Sequence, residues 1–160
     1  MLKTKLIHPE LLAILAGAGH GSKILIADAN YPASTKSGPQ AEIVYLNLAP
    51  GIVSAVQVLE SLLSVIAVEA AHVMEPDKQP PNFQGDKPPV WQEFGNSLSK
   101  AGFAGRLTPL QRHDFYEAVQ GMDTALVIAT AEQRVWSNLL LTMGVVRNPV
   151  EELGQGYRIV

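Results

Sequence analysis

A histidine, a carboxylate and an amide flank one short apolar run near the start of the chain. His20 lies between two glycines, and Asp28 and Asn30 follow the apolar residues 24–27. Glycine permits backbone conformations closed to other residues, so the pattern predicts a tight turn followed by a strand covered on both faces. Open α/β sheets bind ligands at the carboxyl ends of such strands, where Asp28 and Asn30 stand. The residue types indicate proton transfer or the binding of a polyol.

His20 and Asp28 each also have a purely structural interpretation. A histidine in a turn can cap a helix carbonyl, and an aspartate can close the next turn through its side chain. The strand between His20 and Asp28 would span roughly 17 Å. Unless the turn curls back, the two side chains of one subunit cannot reach one small ligand. A site shared between subunits would remove this difficulty.

The residue inventory argues against several other kinds of site. The glycines at 17, 19 and 21 follow a predicted helix and precede a strand, whereas a dinucleotide fingerprint follows a strand and opens a helix. No nucleotide cofactor is therefore predicted. The histidines and carboxylates show no metal-ligand spacing, so no metal site is predicted. The chain has no cysteine, which excludes disulfides and thiol catalysis.

Length and composition predict one globular domain over residues 1–160. Hydrophobic residues make up 47% of the chain and charged residues 17%, below the usual share of about a quarter. The low share of charged residues favours an oligomer that hides part of its surface. A net charge of −3 gives no basic face for nucleic acid. No signal or membrane-spanning pattern is evident, so a cytoplasmic protein is expected.

Helices and strands are predicted to alternate along the chain. Helices are expected at residues 10–16, from Pro50-Gly51 onward, at 91–100 and at 111–120. Strands are expected at residues 23–27, 42–46, 65–72, 125–130 and 139–143. A proline-rich surface loop at 75–90 and a C-terminal tail at 148–160 complete the chain. The alternation predicts a single layered α/β domain with a mostly parallel central sheet flanked by helices.

The segment GHGSKILIADANYPA at residues 19–33 resembles the N-terminal signature of the D-ribose pyranase and L-fucose mutarotase family. Further resemblances follow in order along the chain: MLKT at 1–4, HPELL at 8–12, VEAA at 68–71, FYE at 115–117, WSNLLL at 136–141 and GV at 144–145. The resemblance implies a ribose pyranase-like fold, an isomerase that needs no cofactor, and decameric ring-shaped homo-oligomers with sites at subunit interfaces.

The resemblance also implies roles for single residues. His20 matches the proposed proton donor of the family, and Asp28 matches its sugar-binding aspartate. Arg112 matches the arginine of the fucose branch, where the ribose branch has histidine. Tyr116 lies four residues later, on the same helical face, and can lend a hydroxyl to the site or pack in the core.

One departure from the family falls at Trp136, where tyrosine is usual. The hydroxyl is lost, but an indole stacks well on the C–H face of a sugar. Ser137 and Asn138 follow, and the amide supplies both a donor and an acceptor for sugar hydroxyls. These residues complete the predicted substrate site.

The predicted function is a monosaccharide mutarotase or pyranase that works by general acid–base catalysis. Arg112 and the FYE segment favour an L-fucose-like sugar over D-ribose, whereas VEAA is closer to the ribose branch. Two alternatives stay open: a non-catalytic sugar-binding protein, and a structural or regulatory oligomer of the same fold.

Overall fold

The computed structural model describes residues 2–76 and 87–146, which contain four helices and six strands. The helices are α1 (Pro9–Gly17), α2 (Ala55–Leu62), α3 (Pro89–Lys100) and α4 (Arg112–Val119). The strands are β1 (Lys23–Ala27), β2 (Glu42–Tyr45), β3 (Val68–Met74), β4 (Leu107–Leu110), β5 (Thr124–Ala129) and β6 (Leu139–Met143). Most of the predicted 75–90 loop and the whole 148–160 tail lie outside the described residues.

The six strands form one sheet in the order β2-β5-β1-β6-β3-β4. β1 and β2 both run parallel to β5, and β3 runs parallel to β4. β6 runs antiparallel to both of its neighbours, β1 and β3. The predicted α/β fold with a mostly parallel sheet is confirmed, and one reversed strand lies in its interior.

Helices cover both faces of the sheet, and the alternation of side chains along β1 shows how. Ile24 and Ile26 point to the face that α1, α2 and α3 cover. Leu25 and Ala27 point to the other face, where Phe115 of α4 packs. All four of these strand side chains are fully buried. Burial on both faces explains why β1 has an unbroken apolar sequence rather than an alternating one.

The start of α2 corrects the prediction that Pro50-Gly51 opens this helix. The helix begins at Ala55, and Ser54 is its N-cap. The Ser54 hydroxyl accepts a hydrogen bond from the Gln57 N–H, and the Gln57 side chain accepts one from the Ser54 N–H. This reciprocal capping box satisfies two helix donors that otherwise lack partners, and its Ser-x-x-Gln pattern was present in the sequence.

β4 was not predicted from the sequence, and the predicted β3 at 65–72 begins three residues and ends two residues before the observed strand. β4 contains Pro109, which lacks an N–H donor and is confined to edge strands. Among the described strands β4 pairs with β3 alone, as an edge strand does. β3 begins at Val68 because the Val65 N–H still bonds to the Leu62 carbonyl in the turn that ends α2.

We expect Gly38→Ala to destabilise the fold. A Cβ at this position would lie 2.6 Å from the Gly121 carbonyl oxygen and 3.1 Å from Thr124 Cβ, so the backbone must shift. The expected loss in free energy of unfolding is about 1–3 kcal/mol, measured by urea denaturation.

Gly17→Ala at the end of α1 is the matched control. A Cβ there meets nothing within 4 Å, so we expect unchanged stability or a gain of up to about 1 kcal/mol. Equal unfolding midpoints for the two variants would contradict the packing described around Gly38.

Candidate functional site

A cleft of about 150 Å³ opens at the carboxyl ends of β1 and β3. Its walls come from the turn after β1, the end of β3, the first turns of α4 and the segment before β6. The lining residues are Asp28, Asn30, Tyr31, Met74, Arg112, Tyr116, Val135, Trp136 and Asn138. The cleft therefore brings together five of the six predicted sugar-binding residues. Sheets of this class bind ligands at this edge.

Asp28 and Asn138 form a reciprocal pair at the base of the cleft. The Asn138 amide nitrogen donates to Asp28 Oδ2 at 2.9 Å, and the Asp28 backbone N–H donates to Asn138 Oδ1 at 2.9 Å. The backbone N–H of Ser137 adds a bond to Oδ2 at 3.2 Å, and that of Asn30 adds one to Oδ1 at 3.0 Å. The carboxylate is thus held in one orientation by donors from two segments.

Burial and hydrogen bonding act on Asp28 in opposite directions. The residue is only 4% exposed, and this desolvation raises the pKa of its carboxyl above the usual value. The N–H donors of Asn30 and Ser137 oppose the rise because they stabilise the ionised form. A carboxylate in this position accepts hydrogen bonds, which suits it to sugar hydroxyls.

Two tyrosines form one side of the cleft. The rings of Tyr31 and Tyr116 meet edge to face, with centroids 5.6 Å apart. The Tyr31 hydroxyl donates to the Lys36 carbonyl at 2.8 Å, and burial raises the pKa of this phenol. The Lys36 ammonium lies 5.6 Å from the centre of the Tyr116 ring. The sequence prediction included Tyr116 and missed Tyr31, although Tyr31 stands three residues after Asp28.

Part of the cleft lining is apolar. It consists of Trp136, Val135 and Met74, of which the prediction named only Trp136. Trp136 has a φ of 63°, in the left-handed region that non-glycine residues seldom occupy. Arg112, at the first position of α4, brings a cationic group to the rim. Polar groups at the base and apolar groups at the side match the two kinds of surface that a sugar ring presents.

Ser137 contributes to the site through its backbone. Its side chain is fully buried and is not part of the cleft lining. Its hydroxyl has no hydrogen-bond partner among the described residues. The backbone N–H, by contrast, donates to Asp28, so the residue helps to fix the carboxylate.

His20 lies at the other end of β1, away from the cleft. Its Nε2 is 2.7 Å from Glu69 Oε2, and both side chains are substantially exposed, at 59% and 43%. The carboxylate orients the imidazole, an arrangement found in general acids and bases. Glu69 is 49 residues away in the sequence, which is why the prediction did not pair them. One subunit does not bring His20 to Asp28, as the length of β1 predicted.

No group of three or more His, Asp or Glu side chains among residues 2–76 and 87–146 is arranged to hold a metal ion.

Known proteins resemble this chain along most of its length. The model of the RbsD / FucU transport protein family matches residues 1–146. A zebrafish (Danio rerio) protein named fucose mutarotase is 34% identical over 90% of this chain and 91% of its own. The human (Homo sapiens) fucose mutarotase is 34% identical over 91% of this chain and 94% of its own.

A solved structure shows the same relationship in three dimensions. The fucose mutarotase of Streptococcus pneumoniae in complex with L-fucose superposes with a TM-score of 0.77 at 25% identity. The match covers 92% of this chain and 100% of that one. The fold and the order of its elements are therefore shared.

We expect ionisation of Asp28 to lower the free energy of unfolding, and protonation of Asp28 at lower pH to restore it. Because its folded-state pKa is raised, the native state binds this proton more tightly than the unfolded state does. The free energy of unfolding, relative to Asp28→Asn, should therefore rise as pH falls from 7 through the raised pKa. Urea denaturation of both proteins between about pH 7 and pH 4 measures it. A difference that stays constant with pH would contradict the assignment.

Proposed function

Because the chain belongs to the RbsD/FucU family, we propose that it interconverts the anomers or ring forms of a free monosaccharide, with L-fucose-like sugars favoured over D-ribose. The observation that carries the proposal is the cleft whose lining brings the hydrogen-bonded pair Asp28 and Asn138 together with the apolar ring of Trp136. The names and the bound L-fucose of the relatives support the same class of reaction.

In this proposal the cleft binds the sugar through its hydroxyls and one of its faces. Asp28 accepts hydrogen bonds from vicinal hydroxyls, and Asn138 offers a further donor and acceptor. Arg112 and Tyr116 orient hydroxyls from the α4 side. Trp136 packs on the C–H face of the sugar ring. This apolar contact takes the place of the hydrogen bond that a tyrosine hydroxyl would make. Ser137 contributes its backbone N–H rather than its side chain.

The chemistry needs two proton transfers and no redox step. The ring oxygen gains a proton while the anomeric hydroxyl loses one, and the bond between the anomeric carbon and the ring oxygen breaks. His20 donates the proton to the ring oxygen, and water accepts the anomeric proton. The open-chain aldehyde then rotates, and the hydroxyl released from the ring adds to the other face of the carbonyl. This closure reverses both transfers: the hydroxyl returns its proton to His20, and the new anomeric oxygen takes a proton from water. Neither group transfer nor oxidation occurs, so the reaction requires no cofactor.

The separation of His20 from Asp28 supports a site shared between subunits. A histidine from one subunit would complete the cleft of its neighbour, with Glu69 holding the imidazole in place. This arrangement requires a homo-oligomer, and the low charged content of the chain agrees with one. A closed ring, such as a decamer, would give every cleft the same histidine partner.

None of the helices in the described part of the chain combines the length and apolar character needed to cross a membrane. A cytoplasmic location stays a prediction from the sequence.

A non-catalytic sugar-binding protein would bind sugars without accelerating exchange. A purely structural oligomer would show no sugar-dependent change in thermal stability.

We expect the protein to accelerate exchange between the α and β anomers of L-fucose, and to do so more weakly for D-ribose. Magnetisation-exchange NMR on the free sugars measures the rates. His20→Ala should lower the catalysed rate by about 10²–10⁴-fold, the usual contribution of a general acid. His113→Ala, an exposed histidine on α4 outside the cleft, is the matched control and should retain the wild-type rate.

Absence of acceleration for both sugars would refute the enzymatic proposal for these substrates. Acceleration that survives in His20→Ala would leave the function in place and reject His20 as the proton donor.

A mixture of two inactive variants should recover activity if the site is shared. His20→Ala subunits retain Asp28, and Asp28→Asn subunits retain His20, so a neighbouring pair can rebuild one complete site. Equal amounts reassembled at random should give roughly a quarter of the wild-type rate, because a quarter of ordered neighbour pairs are complete. Anomer-exchange NMR before and after joint reassembly is the measurement, and no recovery in verified mixed oligomers would contradict a shared site.

A further inference from the structure

Trp136 holds a backbone conformation that its own side chain disfavours. Residues other than glycine are strained in the left-handed region and persist there where the surroundings fix them. At Trp136 one such contact comes from Trp91 of α3, a helix whose residues are not among those that line the cleft. The contacts between α3 and the segment before β6 are therefore candidates for positioning the cleft residues from outside the cleft.

The first contact is a hydrogen bond from Trp91. Its indole Nε1–H donates to the Trp136 carbonyl at 3.2 Å, and the Trp91 side chain is buried in the core under α3. The Trp136 carbonyl and the Ser137 N–H belong to one planar peptide group and point in opposite directions. That same N–H donates to Asp28 Oδ2 at 3.2 Å. Trp91 and Asp28 thus hold the two ends of a single peptide group.

The second contact is an ion-paired bridge. Arg134 binds the nearly buried Glu132 carboxylate through two nitrogens, at 2.9 and 2.8 Å. Its remaining terminal nitrogen hydrogen-bonds to Glu93 of α3. This bridge holds residues 132–134 against α3 immediately before the strained Trp136. Two neighbouring points of the segment are therefore attached to the same helix.

We propose that Trp91 is a positioning residue for the sugar site, acting on Asp28 through the peptide group between Trp136 and Ser137, with the Glu93–Arg134 bridge as a second support. The inference rests on the proposed function, since it concerns the same cleft. Hydrogen bonds in series polarise one another, so a donor on the carbonyl makes the N–H at the other end a better donor to the carboxylate. Loss of the Trp91 donor would free the peptide plane and weaken that bond.

Trp91→Phe keeps an aromatic ring in the core and removes the donor. Carbon-13 NMR of the Asp28 carboxyl should then show a titration shifted to higher pH, because the Ser137 N–H favours the ionised form. The other titratable groups of the cleft, Tyr31, Arg112 and Tyr116, are the same in both proteins. In anomer exchange, KM for L-fucose should rise about fivefold, the effect of one lost hydrogen bond, while kcat changes little.

Phe94→Leu is the matched control, since it reduces a fully buried aromatic on the same helix without touching residues 136–137. It should lower stability and leave both the Asp28 titration and KM unchanged. A folded Trp91→Phe protein with the wild-type Asp28 titration, or an equal shift in Phe94→Leu, would overturn the proposal.

Glu93→Gln keeps the test decisive if Trp91→Phe does not fold. Glu93 is half exposed, so its replacement should spare the core, loosen Arg134 and shift the Asp28 titration in the same direction by less. An unchanged titration in that variant would then refute the role of α3. The NMR titration does not require activity, so it decides the inference even if no sugar shows accelerated exchange and the proposed function fails.

Discussion

The buried carboxylate of Asp28 is the constraint on which the site depends. A charge removed from water at the end of the central strand must be matched by donors, because an unpaired buried charge is strongly destabilising. The donors come from its own turn at Asn30 and from the segment that enters β6 at Ser137 and Asn138. Satisfying one carboxylate thus fixes the relative position of two parts of the chain, and that position shapes the base of the cleft.

The reversed direction of β6 makes this possible. In a wholly parallel sheet, the residues that precede a strand lie at the amino edge, far from the carboxyl ends of its neighbours. Because β6 runs antiparallel to β1 and β3, its entry segment lies at their carboxyl edge. Backbone N–H groups that have not yet joined the sheet are therefore available to Asp28. The left-handed turn at Trp136 allows the chain to present them and still place an indole on the cleft wall.

Much of the fold could be predicted because burial on both faces leaves a plain sequence signal. The apolar runs of β1 and β6 gave both strands with their observed bounds. β4 could not be found, because it is a short edge strand with Pro109 and with two of its four residues exposed. At the site, residue type and position indicated Asp28 and the family resemblance indicated Asn138, but their pairing crosses 110 residues of sequence. Tyr31, Met74 and Glu69 were missed because only the folded chain brings them to their partners.

The rigidity of the sheet also explains why His20 and Asp28 lie apart within one subunit. β1 is paired on both sides and covered on both faces, so it cannot shorten or bend to bring its two ends together. A site shared between subunits would make use of this separation. Each subunit would then hold a binding cleft at one edge and an oriented imidazole at the other, and catalysis would require association. With the two groups divided in this way, activity would depend on assembly and would need no conformational change. The reason is that β1 positions both His20 and Asp28 and also fixes the distance between them within one chain.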